Sequence, residues 1–341
     1  MKLNYLSTHF GFLTSISQLS VIPIFIILVS FFLWSCNKNE TDPATSVHLT
    51  GAYSIFMNED HLLVSGYENS NNKFSTKYWM DGVETSADYF TENINQGTVY
   101  QKSTGEFNSR TTFEYKNEEG ELETYQFEPI GSLAENGTIF YYRNSQKIAM
   151  DTTALGTIST FCLVDNKPCF AGIFGQMQGS EAGESLAPKT PFYWDGVSTP
   201  EKLPIPDETY FKDISCMHIS ESNDVYIGGL IGQPMYWKNS EPVILNTLYG
   251  EVKQIIIHGT DVYAVGFYNK SNSNSTGHTA CYWKNGELFE LDDNAQANGI
   301  YLDGEDVYVA GSTGRVPVEY QACYWKNGIY NAFSTNTTTQ N

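Results

Sequence analysis

The stretch Cys281-Tyr282-Trp283-Lys284-Asn285-Gly286 returns almost verbatim as Cys323-Tyr324-Trp325-Lys326-Asn327-Gly328, and this repetition constrains the fold more than any other feature of the chain. Weaker copies stand at Tyr236-Trp237-Lys238-Asn239-Ser240, Tyr193-Trp194-Asp195-Gly196 and Tyr78-Trp79-Met80-Asp81-Gly82. Together the five hold every tryptophan except Trp34. A residue so rare, confined to one motif, marks a recurring structural slot. The slot reads as a hairpin, because Asn285-Gly286 tolerates the positive φ angles of a type I′ turn and joins two alternating runs, 280–284 and 287–291. Pairing across that turn sets Lys284 against Glu287, Trp283 against Leu288 and Tyr282 against Phe289, each pair worth roughly 0.2–1 kcal/mol.

The tryptophans of the last four copies are 43, 46 and 42 residues apart. A second motif keeps the same beat as Asp224-Val225-Tyr226-Ile227-Gly228-Gly229, Asp261-Val262-Tyr263-Ala264-Val265-Gly266 and Asp306-Val307-Tyr308-Val309-Ala310-Gly311. Each copy follows another alternating run, at 214–220, 252–257 and 298–302, across a tight polar turn. A unit is therefore four short antiparallel strands, A to D, in about 43 residues, the size and strand count of one β-propeller blade. The predicted fold is all-β, a β-propeller of about seven, alternatively six, four-stranded blades over residues 51–335. Residues 97–100 and 112–117 read as strands B and C of a second blade and 137–142 as strand B of a third; the count is six if 93–153 forms a single irregular blade. One blade alone leaves both faces apolar, whereas a ring buries them and leaves no long open edge. Stacked sandwiches would not need the same slot five times.

The Gly-His and Trp-Asp signature of WD40 repeats is missing. The Val-Tyr-Val-Ala-Gly and Tyr-Trp-Lys-Asn-Gly repeats resemble instead those of bacterial propeller lipoproteins, over roughly residues 50–335. That resemblance implies the fold and implies no activity.

The first 35 residues read as a leader. Lys2 is the only formal charge among residues 1–20, and 21–34 is an apolar run too short for a comfortable span of about 20 residues. Leu33-Trp34-Ser35-Cys36 resembles the lipobox of bacterial lipoproteins, which implies lipid attachment at Cys36; Trp34 departs from the small residue usual at its position. Residues 36–50 read as a polar tether and 336–341 as a disordered tail. The expected location is the bacterial outer membrane, lipid-anchored, either surface-exposed or facing the periplasm. The net charge is −20, one unit more negative once Lys2 leaves with the leader, and such a field repels nucleic acid. Nothing in the sequence points to a metal or a cofactor, and a monomer is expected.

Loops B–C and D–A share one rim of a propeller, and here the B–C loops vary most in length. Binding is expected on that rim. The longest loop, 172–191, offers Phe174, Met177, Glu181 and Glu184 as ligand-contacting residues. It also contains Gly183-Glu184-Ser185-Leu186-Ala187, a near miss to a nucleophile elbow that Pro188 and Pro191 deprive of its helix. The A–B turns pair Glu221 with Asp224, His258 with Asp261 and Asp303 with Asp306; recurring once per blade, these read as solvated turn residues rather than an active site. Cys162 and Cys169 fall opposite one another across Asp165-Asn166 and form a candidate disulfide. The reading that follows is a lipid-anchored binding or interaction module with a glycan or protein ligand. A glycan-active hydrolase and a structural part of a surface complex are the alternatives. The hydrolase would need acidic side chains on inward strand A positions, taken to be Phe56, Cys162, Ile219, Ile256 and Tyr301, all apolar.

Overall fold

The computed structural model describes residues 48–58, 60–70, 73–96, 98–102, 104–106, 111–127, 139–149, 156–165, 167–174, 190–206, 213–271, 277–314 and 320–334. These form six antiparallel sheets. Blade 1 comprises β1 (His48–Asn58), β2 (His61–Ser70), β3 (Lys73–Met80) and β4 (Val83–Thr85). Blade 2 has five strands, β5 (Val99–Lys102), β7 (Thr111–Lys116), β8 (Leu122–Phe127), β9 (Phe140–Arg143) and β10 (Gln146–Ala149), while β6 (Thr104–Glu106) pairs back onto β3. Blade 3 is β11 (Gly156–Val164), β12 (Lys167–Phe174), β13 (Thr190–Trp194) and β14 (Glu201–Lys202). Blade 4 is β15 (Asp213–Ile219), β16 (Val225–Leu230), β17 (Met235–Lys238) and β18 (Glu241–Ile244). Blade 5 is β19 (Gly250–His258), β20 (Asp261–Asn269), β21 (His278–Lys284) and β22 (Glu287–Asp293). Blade 6 is β23 (Ala295–Asp303), β24 (Asp306–Thr313), β25 (Gln321–Lys326) and β26 (Ile329–Ala332).

The blade count is thus six. Residues expected to divide between a second and a third blade share one sheet, because β7 to β10 are a complete four-stranded unit and β5 is an extra strand on its inner edge. Strand β1 begins at His48, inside the expected tether, since 48–50 pair with 68–70 of β2. The leader, Cys36 and the tail lie outside the described residues.

The hairpin chemistry holds residue by residue. Lys284 pairs with Glu287, Trp283 with Leu288 and Tyr282 with Phe289, the last two rings stacked 4.8 Å apart. Asn285 and Gly286 take the positive φ values, 52° and 85°, that the turn requires. Trp79, Trp237, Trp283 and Trp325 are buried in the seams between blades, whereas Trp194 is half-buried. Successive blades bury one mixed apolar cluster per seam, such as Ile255, Ala264, Cys281 and Trp283 of blade 5 against Cys216 and Tyr226 of blade 4.

Apart from β6, which returns from blade 2 to pair with β3, each sheet is drawn from one stretch of chain, so blades 6 and 1 meet without exchanging a strand. Closure comes from side-by-side contacts of blades 6 and 1. Thr50 donates its N–H to the Tyr320 carbonyl at 2.8 Å, and Ser334 forms a parallel bridge to Val83, its N–H donating to the Gly82 carbonyl at 2.8 Å. Phe333 stacks on Trp79 at 4.6 Å. The one described helix, α1 (Ala87–Asn93), is capped by Ser86 and links blades 1 and 2 by burying Phe90 against Tyr78 and Tyr100.

Candidate functional site at the mouth of the ring

Strands β1, β11, β15, β19 and β23 are the innermost of their sheets, and each carries a β-bulge at the same place. The bulged residues are Tyr53, Ser159, Ser215, Lys253 and Asn298. The residue before each bulge pairs with a glycine on the second strand: Gly66, Gly172, Gly229, Gly266 or Gly311. A Cβ on that glycine would lie only 1.9–2.2 Å from the backbone oxygen one residue further back, for example 1.9 Å from Glu251 O at Gly266. The repeated glycine of the Val-Ala-Gly motif is therefore the partner of a bulge, and the bulge turns an extra side chain onto the inner face of the ring.

Four of the five bulges lie within the first four residues of their strands and Tyr53 at the middle of the longer β1, in the half toward the rim shared with the B–C loops. Their side chains and immediate neighbours link blade to blade. Ser159 Oγ donates to Asp213 Oδ1 at 3.0 Å, Ser215 Oγ to Glu251 Oε1 at 2.5 Å, and Asn298 Nδ2 to the Ala52 carbonyl at 2.8 Å. Next to the bulge in blade 5, Gln254 Oε1 accepts from Ile300 N at 2.7 Å.

The densest part of this belt spans blades 4 to 6. Glu251 is only 6% exposed, and it accepts from Ser215 and from Lys253 Nζ at 2.7 Å. His278 stacks on Phe267 with centroids 3.9 Å apart, and Gln296 Nε2 donates to its Nδ1 at 2.7 Å. Burial, reinforced by the Lys253 charge and opposed by Glu251, pushes the His278 pKa down to about 4. The ring is thus neutral at physiological pH and keeps its proton on Nε2, a donor with no partner among the described residues. Across the mouth, blades 1 and 6 contribute aromatic rings. Tyr53 stacks on Tyr67 at 5.0 Å, Phe74 sits 5.9 Å from Tyr67, and burial together with the neighbouring Tyr320 raises the Tyr67 pKa.

Sequence reasoning placed binding on this rim but on other residues. Phe174 ends β12 and stacks on Phe192 at 4.3 Å in the seam between blades 2 and 3; Met177, Glu181, Glu184 and the Ser185 segment lie outside the described residues. The strand A positions taken as inward are corrected. Phe56 packs between blades 1 and 2, Cys162 and Ile219 between blades 3 and 4, and Ile256 between blades 5 and 6, because the bulge shifts the alternation of the strand by one residue. Tyr301 likewise packs with seam residues, beside blade 1. The inner strands carry Asp213 and Glu251 instead.

The acidic turn residues do have a structural task. Asp224, Asp261 and Asp306 each accept from the turn asparagine of the same blade, Asn239, Asn285 and Asn327, at 2.7 Å. Each also pairs with the adjacent lysine, Lys238, Lys284 or Lys326, at 2.9–3.2 Å. Those bonds hold their carboxyl groups below the usual range. Cys162 and Cys169 stand opposite one another in register, both as free thiols. Among the described residues no group of three His, Cys, Asp or Glu side chains could hold a metal ion.

No protein-family model matches the chain, and no curated protein matches it. Among solved structures, it is similar to the β-propeller domain of the Trilobed protease from Pyrococcus furiosus, described as having an open velcro topology, at 12% identity and a TM-score of 0.38, covering 84% of this chain and 98% of that one. It is also similar to Pyrococcus horikoshii acylaminoacyl peptidase, at 9% identity and a TM-score of 0.41, covering 84% of this chain and 52% of that one. The chain thus spans about half the length of the second protein. The six-bladed reading rests on this chain's own strand pairing.

Proposed function

We propose that the protein is an exported binding module, anchored through a lipid on Cys36 to the bacterial outer membrane, which takes a glycan at the mouth of its ring. The observation that carries this reading is the division of the mouth. Ser215, Glu251, Lys253, His278 and Gln296 gather donors and acceptors on one side, and Tyr53, Tyr67, Phe74 and Tyr320 gather half-buried rings on the other. A sugar offers hydroxyls to the first and apolar C–H faces to the second. A hydrolase fits less well, since the inner-strand carboxylates on the mouth side, Asp213 and Glu251, are engaged, Asp213 by Ser159 and Ile214 N and Glu251 by Ser215 and Lys253.

A glycan array probed with the full-length protein tests the ligand class. Binding that falls about tenfold in both Tyr67→Leu and His278→Ala supports the mouth; undiminished binding in both variants, or no glycan retained at all, overturns it. Membrane fractionation of Cys36→Ser tests the anchor, and recovery of that variant in the membrane fraction would sink that part.

A further inference from the structure

Blade 3 carries a pair of sulfurs that the binding reading does not use. Cys162 on β11 and Cys169 on β12 are direct cross-strand partners, and their thiols hydrogen-bond to each other. Tyr193, on β13, gives Cys169 a further hydrogen bond, and the Cys169 thiol itself donates to the Asp195 carbonyl at 3.9 Å. The other described cysteines, Cys216, Cys281 and Cys323, are buried among apolar neighbours in other clusters, and burial raises all three pKa values.

The outer strand of the same blade is also the shortest of the six. The outer strand of blade 3, β14, has two residues, where the outer strands of blades 4 to 6 have four or more. Between blades 3 and 4 lies a cavity of about 180 Å³ lined by Tyr193, Leu203, Ile227 and Trp237 together with Glu201 and Ser240. Tyr193 therefore borders the cavity and touches the Cys169 sulfur. Cys169 itself is only 6% exposed, so a bulky disulfide has poor access to it, while a molecule little larger than water does not need an open surface.

We propose that Cys162 and Cys169 form a peroxide-reactive dithiol that closes to a cross-strand disulfide, with Cys169 as the attacking sulfur and Cys162 as the resolving one. The hydrogen bonds from Cys162 and Tyr193 stabilise a thiolate on Cys169 against burial and the nearby Asp195, bringing its pKa down to about 7, while the Cys162 thiol is driven up by holding its proton toward Cys169 and by burial. The Cys169 thiolate attacks one oxygen of hydrogen peroxide; an S–O bond forms, the O–O bond breaks and hydroxide leaves. The Cys162 sulfur then gives up its proton and attacks the sulfur of the Cys169 sulfenic acid. An S–S bond forms, the S–O bond breaks, and the departing hydroxide takes the proton. In sum two thiols and one peroxide yield one disulfide and two waters.

The sequence makes the readout clean. Lys167 precedes Pro168, a bond trypsin does not cut, so both sulfurs stay on the tryptic peptide 148–189. After one equivalent of hydrogen peroxide, denaturation and treatment with N-ethylmaleimide, that peptide should be lighter by two hydrogen atoms and unlabelled, while Cys216, Cys281 and Cys323 are labelled. Label on both Cys162 and Cys169 overturns the proposal, as does oxidation no faster than at the other three. Cys162→Ser should accumulate a sulfenic acid on Cys169 that dimedone traps, and Cys169→Ser should leave Cys162 unreactive. A dimedone adduct in the second variant and none in the first would overturn the assignment of roles. Tyr193→Phe should slow bridging by roughly threefold to tenfold, because one donor to the thiolate is gone.

Discussion

The two rims of the ring treat repetition in opposite ways. On the turn rim, blades 4, 5 and 6 place the same side chains in the same bonds: an aspartate at the start of the second strand, a lysine and an asparagine at the end of the third, and a tyrosine ring 4.9–5.3 Å from the lysine nitrogen. On the mouth rim the backbone repeats and the side chains do not. The bulge and its glycine recur five times, but the residue displayed is Tyr, Ser, Ser, Lys or Asn. Repeated side chains hold the scaffold together, and a repeated backbone with divergent side chains is how a scaffold presents a site.

The sharpest way to break this contrast is to replace one glycine from each rim with alanine. At Gly266 the new Cβ would sit 1.9 Å from the Glu251 oxygen, and the bulge cannot keep its shape. The expected loss is about 3 kcal/mol or more. At Gly286 the backbone has φ +85° and nothing lies within 4 Å, so the strain costs about 1 kcal/mol. Chemical denaturation of the two variants measures both. Equal losses would mean that the bulge carries no more constraint than the turn.

Acid separates the rims next. His278 has a folded pKa of about 4 against an ordinary 6.5, so between these values the unfolded chain binds more protons. The stability that burial of the neutral ring confers is present above the unfolded value and lost as pH falls through the folded one. Between pH 7 and pH 5 the loss is about 1–2 kcal/mol, discounted for the part of the ring that stays in water. The turn aspartates are depressed by their asparagine and lysine partners, so their contribution survives to the ordinary aspartate range and disappears only below it. Urea midpoints measured from pH 7 to pH 3 should fall in two stages. His278→Gln should reduce the upper stage and leave the lower one unchanged, the remainder of the upper stage belonging to His218, whose pKa burial also lowers; an unreduced upper stage would remove His278 from the account.

How far the sequence discloses these rims follows from the same contrast. The turn rim was legible because its chemistry is local: Asn285-Gly286 names its own turn, and Lys284 and Glu287 sit three residues apart. Blade 2 emerged only as the alternative, a single irregular blade over 93–153, because its copy is disguised. Tyr142 stands in the tryptophan slot and Arg143-Asn144-Ser145 in place of Lys-Asn-Gly, yet Arg143 still pairs with Glu123 at 2.7 Å and Asn144 Oδ1 still accepts from Thr124 N at 2.8 Å. The extra strand β5 has no counterpart in the repeat, so the runs at 97–100 and 112–117, read as strands B and C, are instead the extra strand and strand A. The mouth was hidden because a bulge breaks the alternation that reveals a strand. Lys253-Gln254 and Asn298-Gly299 are paired interruptions of that kind, and each is matched by a glycine on the next strand. Burial of Glu251 between Ser215 and Lys253 depends on neighbouring blades and leaves no local trace.

The smallest expected effect asks whether identical sequence means identical energetics within the repeated tryptophan slot. Trp325 Nε1 donates to Asp292 Oδ2, on the outer strand of the preceding blade, at 2.7 Å, and Trp237 Nε1 to the carbonyl of Pro204, just after the outer strand of its preceding blade, at 2.6 Å. Trp283, in the same slot and equally buried, has an indole N–H with no partner among the described residues. Replacement by Phe removes similar apolar area in either case. In Trp325→Phe it also breaks a bond to a charged group, and in Trp283→Phe it removes a buried donor that was costing free energy. The first should be less stable than the second by about 1 kcal/mol in matched denaturation curves. Equal stability would show that the slot is held by packing alone, and that the carboxylate of Asp292 is free to vary without cost to the seam.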